Sequence, residues 1–253
     1  GGFAEFFEII STASGDFLSF SAGNVGLSAF GLIIGHLGIG MGYFGQPHLL
    51  SRFISVRDLK TLEKSRNYAL IWFCIVFTGM WLLGIAGHFM VEDLNNNENI
   101  FFRISNEVFH PAVQGVLLAA VVSAIMSTAD SQILVCSSSI SLDLGIQNNS
   151  LKASRIVTGL VILSSALIAV MIPDKIFSRV LFAWTAMGSA FGPSVISRIL
   201  RWNVSSTSIL FSIIAGFTLA VLFFLLPNTP GDWLERVVPF ILSFCYLFMI
   251  KKN

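Results

Sequence analysis

The sequence predicts an all-α membrane protein with seven transmembrane helices, and three observations carry that prediction. Of its 253 residues 55% are hydrophobic and only 11% charged, with a mean hydropathy of +0.80. A soluble protein carries about 25% charged residues. Seven segments, A to G, reach the roughly 20 mainly apolar residues that a spanning helix needs. The polar stretches between them alternate between basic and acidic, as the loops of a multi-pass protein do.

Span A covers Phe20 to Phe53 and is predicted to be broken near Gly38–Gly45. It holds Gly31, Gly35, Gly38, Gly40, Gly42 and Gly45, with Pro47 directly after. Each glycine costs a helix roughly 1 kcal/mol relative to alanine, so a continuous helix through Gly38-Ile39-Gly40-Met41-Gly42 is disfavoured. A broken backbone at membrane depth is tolerated where it is buried in protein or lines a cavity. Such breaks are where secondary transporters bind solutes and coupling ions. A free carbonyl or N–H at Gly38–Gly42 can hold a polar solute, and Tyr43 and Phe44 can enclose an apolar ring. The competing reading of those two aromatics is an interfacial belt.

Span B runs from about Asn67 to Met90. The stretch Glu92 to Glu107 after it, with Asn95-Asn96-Asn97, is the longest polar segment and reads as a loop, so no soluble domain is predicted. Span C, Pro111 to Leu142, exceeds the bilayer thickness and must tilt or project. Span D is Arg155–Ile172, span E Phe177–Leu200, span F Ser206–Leu226 and span G Leu234–Ile250. In span E the Gly188 to Gly192 spacing allows close helix approach, and Pro193 introduces a kink. That pattern reads as packing or a hinge, not ligation.

The stretch after A is basic (Arg52, Arg57, Lys60, Lys64, Arg66), and the one after B is acidic (Glu92, Asp93, Glu98, Glu107 against Arg103). Lys152 and Arg155 follow C, Arg198 and Arg201 follow E, and the tail ends Lys251-Lys252. Asp232 and Glu235 precede G beside Arg236. Basic loops stay cytoplasmic. The A–B, C–D and E–F connections and the C-terminus are therefore expected inside, and Glu5, Glu8 and Asp16 outside.

Cys74, Cys136 and Cys245 each sit in a span without CxxC spacing, and read as buried, reduced packing residues. His36, His48, His88 and His110 show no ligand spacing and are expected to be hydrogen-bonded individually. No nucleophile–base pair, phosphate loop or metal cluster is visible, so an enzyme is not expected, nor a nucleic-acid partner.

Span C carries the strongest chemistry. Ser127 and Thr128 lie three and four residues beyond Ala124, on one helical face. The Ala124 carbonyl and the two hydroxyls can converge on a Na⁺, a hard cation that prefers oxygen ligands. The plainer alternative is that each hydroxyl bonds back to its own helix. Asp130 is an ionisable group inside a span, which makes it a functional hypothesis by default; the alternative places it near water or against Gln132.

Together, Gly42-Tyr43-Phe44-Gly45-Gln46-Pro47-His48 and Ala124-Ile125-Met126-Ser127-Thr128-Ala129-Asp130-Ser131-Gln132 resemble the sodium:solute symporter family, closest to its bacterial sodium/proline symporters. Leu134-Val135-Cys136-Ser137-Ser138 and Ala183-Trp184 through Phe191-Gly192-Pro193 extend the resemblance along nearly the whole chain. It implies a LeuT-like inverted-repeat transporter fold in one transmembrane domain, 1–253. Spans A–E (20–200) would be the second five-helix repeat, and 201–253 would add two C-terminal helices. It implies Na⁺ as coupling ion, held in part by Ala124, Ser127 and Thr128, and a solute path along Gly40, Gly42, Tyr43, Phe44 and Pro47.

The implied function is Na⁺-coupled proline symport across the bacterial inner membrane, with lipid around the spans. Proline transporters generally carry tryptophan where this chain has Ile39, which leaves another small amino acid or organic solute open. The family's first repeat is absent, and the chain begins Gly-Gly rather than with methionine. It is therefore expected to act as the C-terminal part of a transporter, inactive without an N-terminal half supplied separately. A non-transporting relic is the main rival, and a solute sensor is a weaker one.

Overall fold

The computed structural model describes Glu8 and residues 19–91, 96–143, 151–171, 176–227 and 229–251. Glu5, Asp16, Glu92, Asp93 and Lys252, used above for orientation, lie outside these residues. The described chain is helical: α1 Gly26–Gly38, α2 Pro47–Ile54, α3 Leu59–Met90, α4 Ile100–Val108, α5 Pro111–Asp143, α6 Leu151–Met171, α7 Ile176–Ile199, α8 Ser206–Phe224 and α9 Trp233–Ile250. Among the described residues seven helical segments are long and apolar enough to cross a bilayer, one for each expected span.

Span A breaks where the glycines predicted. Helix α1 ends at Gly38, a seven-residue 3₁₀ segment covers Ile39–Gly45, Gln46 is extended, and α2 starts at Pro47. Proline suits that first helical position because its missing N–H would be unpaired there anyway.

Two other boundaries differ from the sequence reading. Span B begins at Leu59 rather than Asn67, because Asp58 caps the helix: its carboxylate accepts the Thr61 N–H at 2.7 Å. Hydropathy registers only the apolar part of such a helix. The expected loop Glu92–Glu107 also contains α4. There Ile100, Ile104 and Val108 recur every four residues on one face, and a methyl-sized group added at Gly87 would run into the Ile100 and Ile104 side chains.

The chain forms two compact units. One holds the described residues of 55–171, with spans B, C and D. In it α5 packs along α6, and α4 contacts both α3 and α5. The other holds the described residues of 19–54 and 176–251. There α7, α8 and α9 pack on one another, and the 3₁₀ segment lies against α7. Its core includes Leu181, Ala186, Ala190, Ala220, Val237, Phe240 and Leu247. Helix α7 runs through Pro193, which is fully buried.

The three cysteines are free but exposed, not buried.

Candidate functional site

The two motifs that carry the chemistry fall in different units. The solute-path motif belongs to the unit built on α7. Along span A, Gly31, Gly35, Gly38, Gly42 and Gly45 are buried, at spacings of four, three, four and three. They form one stripe that lets other backbones and flat rings come close. A Cβ at Gly45 would collide with the Met187 carbonyl, and one at Gly42 with the Trp184 indole. A Cβ at Gly38 would strike Val237. Gly188 answers from α7, its added Cβ falling 2.5 Å from the Gly42 Cα. Gly40 is the exception: it is exposed, and a Cβ there would meet nothing within 4 Å.

The predicted path residues therefore divide. Gly42 is a packing glycine. Gly40, Tyr43 and Phe44 lie on the open side of the 3₁₀ segment, with Tyr43 52% and Phe44 45% exposed, and Pro47 is half-buried. Tyr43 meets Trp184 edge-on, with ring centroids 4.7 Å apart. The backbone groups released by the break are partly taken up within the unit. The Trp184 indole N–H donates to the Ile39 carbonyl at 3.1 Å. The buried Gln46 amide donates to the Gly42 carbonyl at 3.2 Å and the Trp184 carbonyl at 3.1 Å. Sequence reasoning quoted Gln46 and Trp184 within its motifs but assigned neither a role. A side-chain amide one residue after a run of glycines was the available signal, since a buried amide must find partners.

The cation motif belongs to the other unit, on α5. The Thr128 hydroxyl lies 3.2 Å from the Ala124 carbonyl and donates to it. The Ser131 hydroxyl donates to the Ser127 carbonyl at 3.0 Å. The Ser127 hydroxyl makes no hydrogen bond among the described residues. Two of the three predicted oxygens are thus adjacent, by the back-bond that the plainer reading expects. A hydroxyl that donates its proton keeps lone pairs for a cation, so the arrangement suits a weakly held Na⁺. Three oxygens do not complete a hard cation's shell.

Ala124, Ser127, Thr128 and Asp130 are all exposed. Asp130 has no hydrogen bond or ion pair among the described residues, so Gln132 does not satisfy it. Two of the four histidines show individual side-chain hydrogen bonds: His36 Nδ1 pairs with the Leu32 carbonyl at 2.7 Å, and His110 Nδ1 accepts from the Ala112 N–H. No cluster of three His, Cys, Asp or Glu side chains able to hold a metal occurs among the described residues.

Seven helical segments long and apolar enough to cross a bilayer mark a multi-pass membrane protein. The sodium:solute symporter family model matches residues 1–216, and the chain belongs to that family. It is 32% identical over 224 residues to the osmoregulated proline transporter of Bacillus subtilis (strain 168), which covers 83% of this chain and 46% of the relative. It is 36% identical over 198 residues to sodium/proline symporter 2 of Staphylococcus saprophyticus, covering 72% and 39%. The high-affinity proline transporter of Bacillus subtilis (strain 168) is 30% identical over 240 residues, covering 89% and 50%. The chain spans half or less of the length of these curated relatives. No solved structure matches it.

Proposed function

We propose that this chain is the C-terminal part of a Na⁺-coupled symporter for proline, and that transport needs the remaining family spans as well. One observation carries the reading. The polar face of α5, with Ala124, Ser127, Thr128 and Asp130, is exposed on a helix too apolar to lie in water. A carboxylate facing lipid costs about 2.5–3.5 kcal/mol on insertion scales, so this face calls for a protein neighbour. In the LeuT-like arrangement that the family resemblance implies, spans A–E form the second repeat. The first repeat would then cover this face and complete the ion's shell.

In this reading Ala124, Ser127 and Thr128 hold Na⁺ in part. Gly40, Tyr43, Phe44 and Pro47 line the solute path, with Gly42 fixing its backbone. Asp130 is a functional intramembrane carboxylate. The spans lie in the bacterial inner membrane, with the C-terminus cytoplasmic.

The energetics suit the assignment. One Na⁺ entering down ~100 mV contributes about 2.3 kcal/mol, and a tenfold Na⁺ gradient adds about 1.4. Together these concentrate a neutral solute roughly several hundred-fold.

The test is Na⁺-dependent proline uptake in transport-deficient cells expressing the chain with and without a family N-terminal half. Uptake is expected only with both. Uptake by the chain alone would overturn the requirement for a partner. No uptake, with both halves inserted and associated, would overturn the proline assignment and favour a relic or another solute.

A further inference from the structure

We propose that Gln46 and Trp184 are positioning residues for the solute path. They form a reciprocal latch that sets the shape of the 3₁₀ segment Ile39–Gly45. The inference rests on the reading of that segment as the path, but its geometry stands independently. A 3₁₀ run longer than three or four residues is uncommon, because its hydrogen bonds are poorly aligned. This one has seven residues and three glycines (Gly40, Gly42, Gly45), so its local preferences alone do not specify it.

Outside bonds supply the specification. The Trp184 indole N–H takes the Ile39 carbonyl at the segment's start. The Gln46 amide takes the Gly42 carbonyl near its end, and ties itself to the Trp184 carbonyl with its second proton. One α7 residue is therefore bonded at both ends of the segment, through its side chain at one end and its backbone at the other. Gln46 is 5% exposed, so water cannot substitute for either bond, and an orphaned buried carbonyl is costly.

The latch has a consequence for the path. With Trp184 fixed by two bonds, its ring edge holds Tyr43, and Tyr43 and Gly40 are presented on the opposite side from the packing glycines. Gln46 and Trp184 thus act on a solute through Tyr43 and the segment's backbone, without touching it.

The test is amide hydrogen exchange on the full chain in nanodiscs, together with the indole N–H signals of the ¹⁵N-labelled protein. Gln46→Met keeps the side chain's length and removes both donors. Trp184→Phe keeps an aromatic ring, removes one donor and assigns the Trp184 indole signal by its disappearance. Exchange of the 39–46 amides is expected to rise about tenfold or more in Gln46→Met, as for the loss of two net hydrogen bonds. Trp184→Phe should show a rise centred on Ile39. In both, Ser206–Phe224 should stay protected as in the parent. The Trp184 indole signal should shift in Gln46→Met, because a loosened segment releases the Ile39 carbonyl.

Unchanged exchange over 39–46 would overturn the latch. An equal rise over 206–224 would overturn it too, by showing that Gln46 merely stabilises the bundle. Neither measurement uses solute, so the latch can fail while proline uptake stands, and the reverse.

Discussion

The unit built on α7 and the unit built on α5 are made of similarly apolar helices but differ in what covers them. Over the most apolar window of each helix, 56% of residues are buried in α7 and 0% in α5. Helices in lipid gain little by burying apolar side chains against one another, so close packing depends on small residues and polar links. In α7, Gly188 meets Gly42 of span A, Ser189 meets Gly216 of α8 and Gly192 meets Phe240 of α9. Helix α5 also carries small residues, at Gly115, Ala119, Ala120, Ser123 and Ala124, but nothing lies within 4 Å of a Cβ built at Gly115. Small residues are in close contact in the first unit, and those of α5 are exposed among the described residues.

Glycine substitutions break this comparison most sharply. Gly45→Val drives a branched side chain into the Met187 backbone, which cannot yield as a flexible side chain would. The expected result is loss of monodisperse protein from detergent extracts, by size-exclusion chromatography. In the other unit, Gly79→Ala, Gly115→Ala and Gly159→Ala enter open space on helices. Each should stabilise by up to about 1 kcal/mol through helix propensity, raising Tm. A lower Tm in all three would show that these faces are already packed.

A second test asks whether the open face is awaiting a helix. Ser123 is exposed on the side of α5 that carries Ser127 and Asp130, so Ser123→Cys, with the three exposed native cysteines replaced by serine, places a single thiol there. A membrane-permeant maleimide should label it readily in the chain alone and more slowly when an N-terminal half is co-expressed. Equal rates would mean that the cover lies elsewhere.

The smallest effect concerns the start of α3. The Asp58 carboxyl titrates below its usual value of 3.8 because its ionised form accepts the Thr61 N–H. A lowered folded value means the cap contributes above 3.8 and is lost as pH falls through that lower value. Asp58→Asn keeps a capping oxygen and should remove this acid-dependent fraying, seen as loss of helical circular dichroism at low pH.

Much of this architecture was legible in the sequence, because the bilayer imposes length and polarity on every span. Those constraints located seven helices and the break at Gly38–Gly45. They could not see that Leu59–Arg66 continues α3, since charged residues outside the hydrocarbon carry no hydropathy signal. Nor did they find α4, whose four-residue recurrence is hidden among asparagines and charges. The Ala124–Thr128 pair followed from helix geometry alone. The Gln46–Trp184 bonds did not, because 138 residues separate the partners and no spacing rule reaches that far. The buried glycines were visible as a four-three-four-three pattern. The sequence reading took them as a helix breaker, and the structure uses them to bring backbones together as well.

The most direct test of the proposed Na⁺ assignment is the sodium dependence of proline uptake by the chain co-expressed with a family N-terminal half. Ser127→Ala and Thr128→Ala would be compared with Ser138→Ala and Ser164→Ala, whose hydroxyls donate to carbonyls of their own helices at Val135 and Val161. The first pair is expected to raise the Na⁺ concentration for half-maximal uptake about tenfold or more, as for losing a charge-assisted contact. The second pair should leave it unchanged. An unaltered sodium dependence in Ser127→Ala and Thr128→Ala would contradict a cation site on this face of α5.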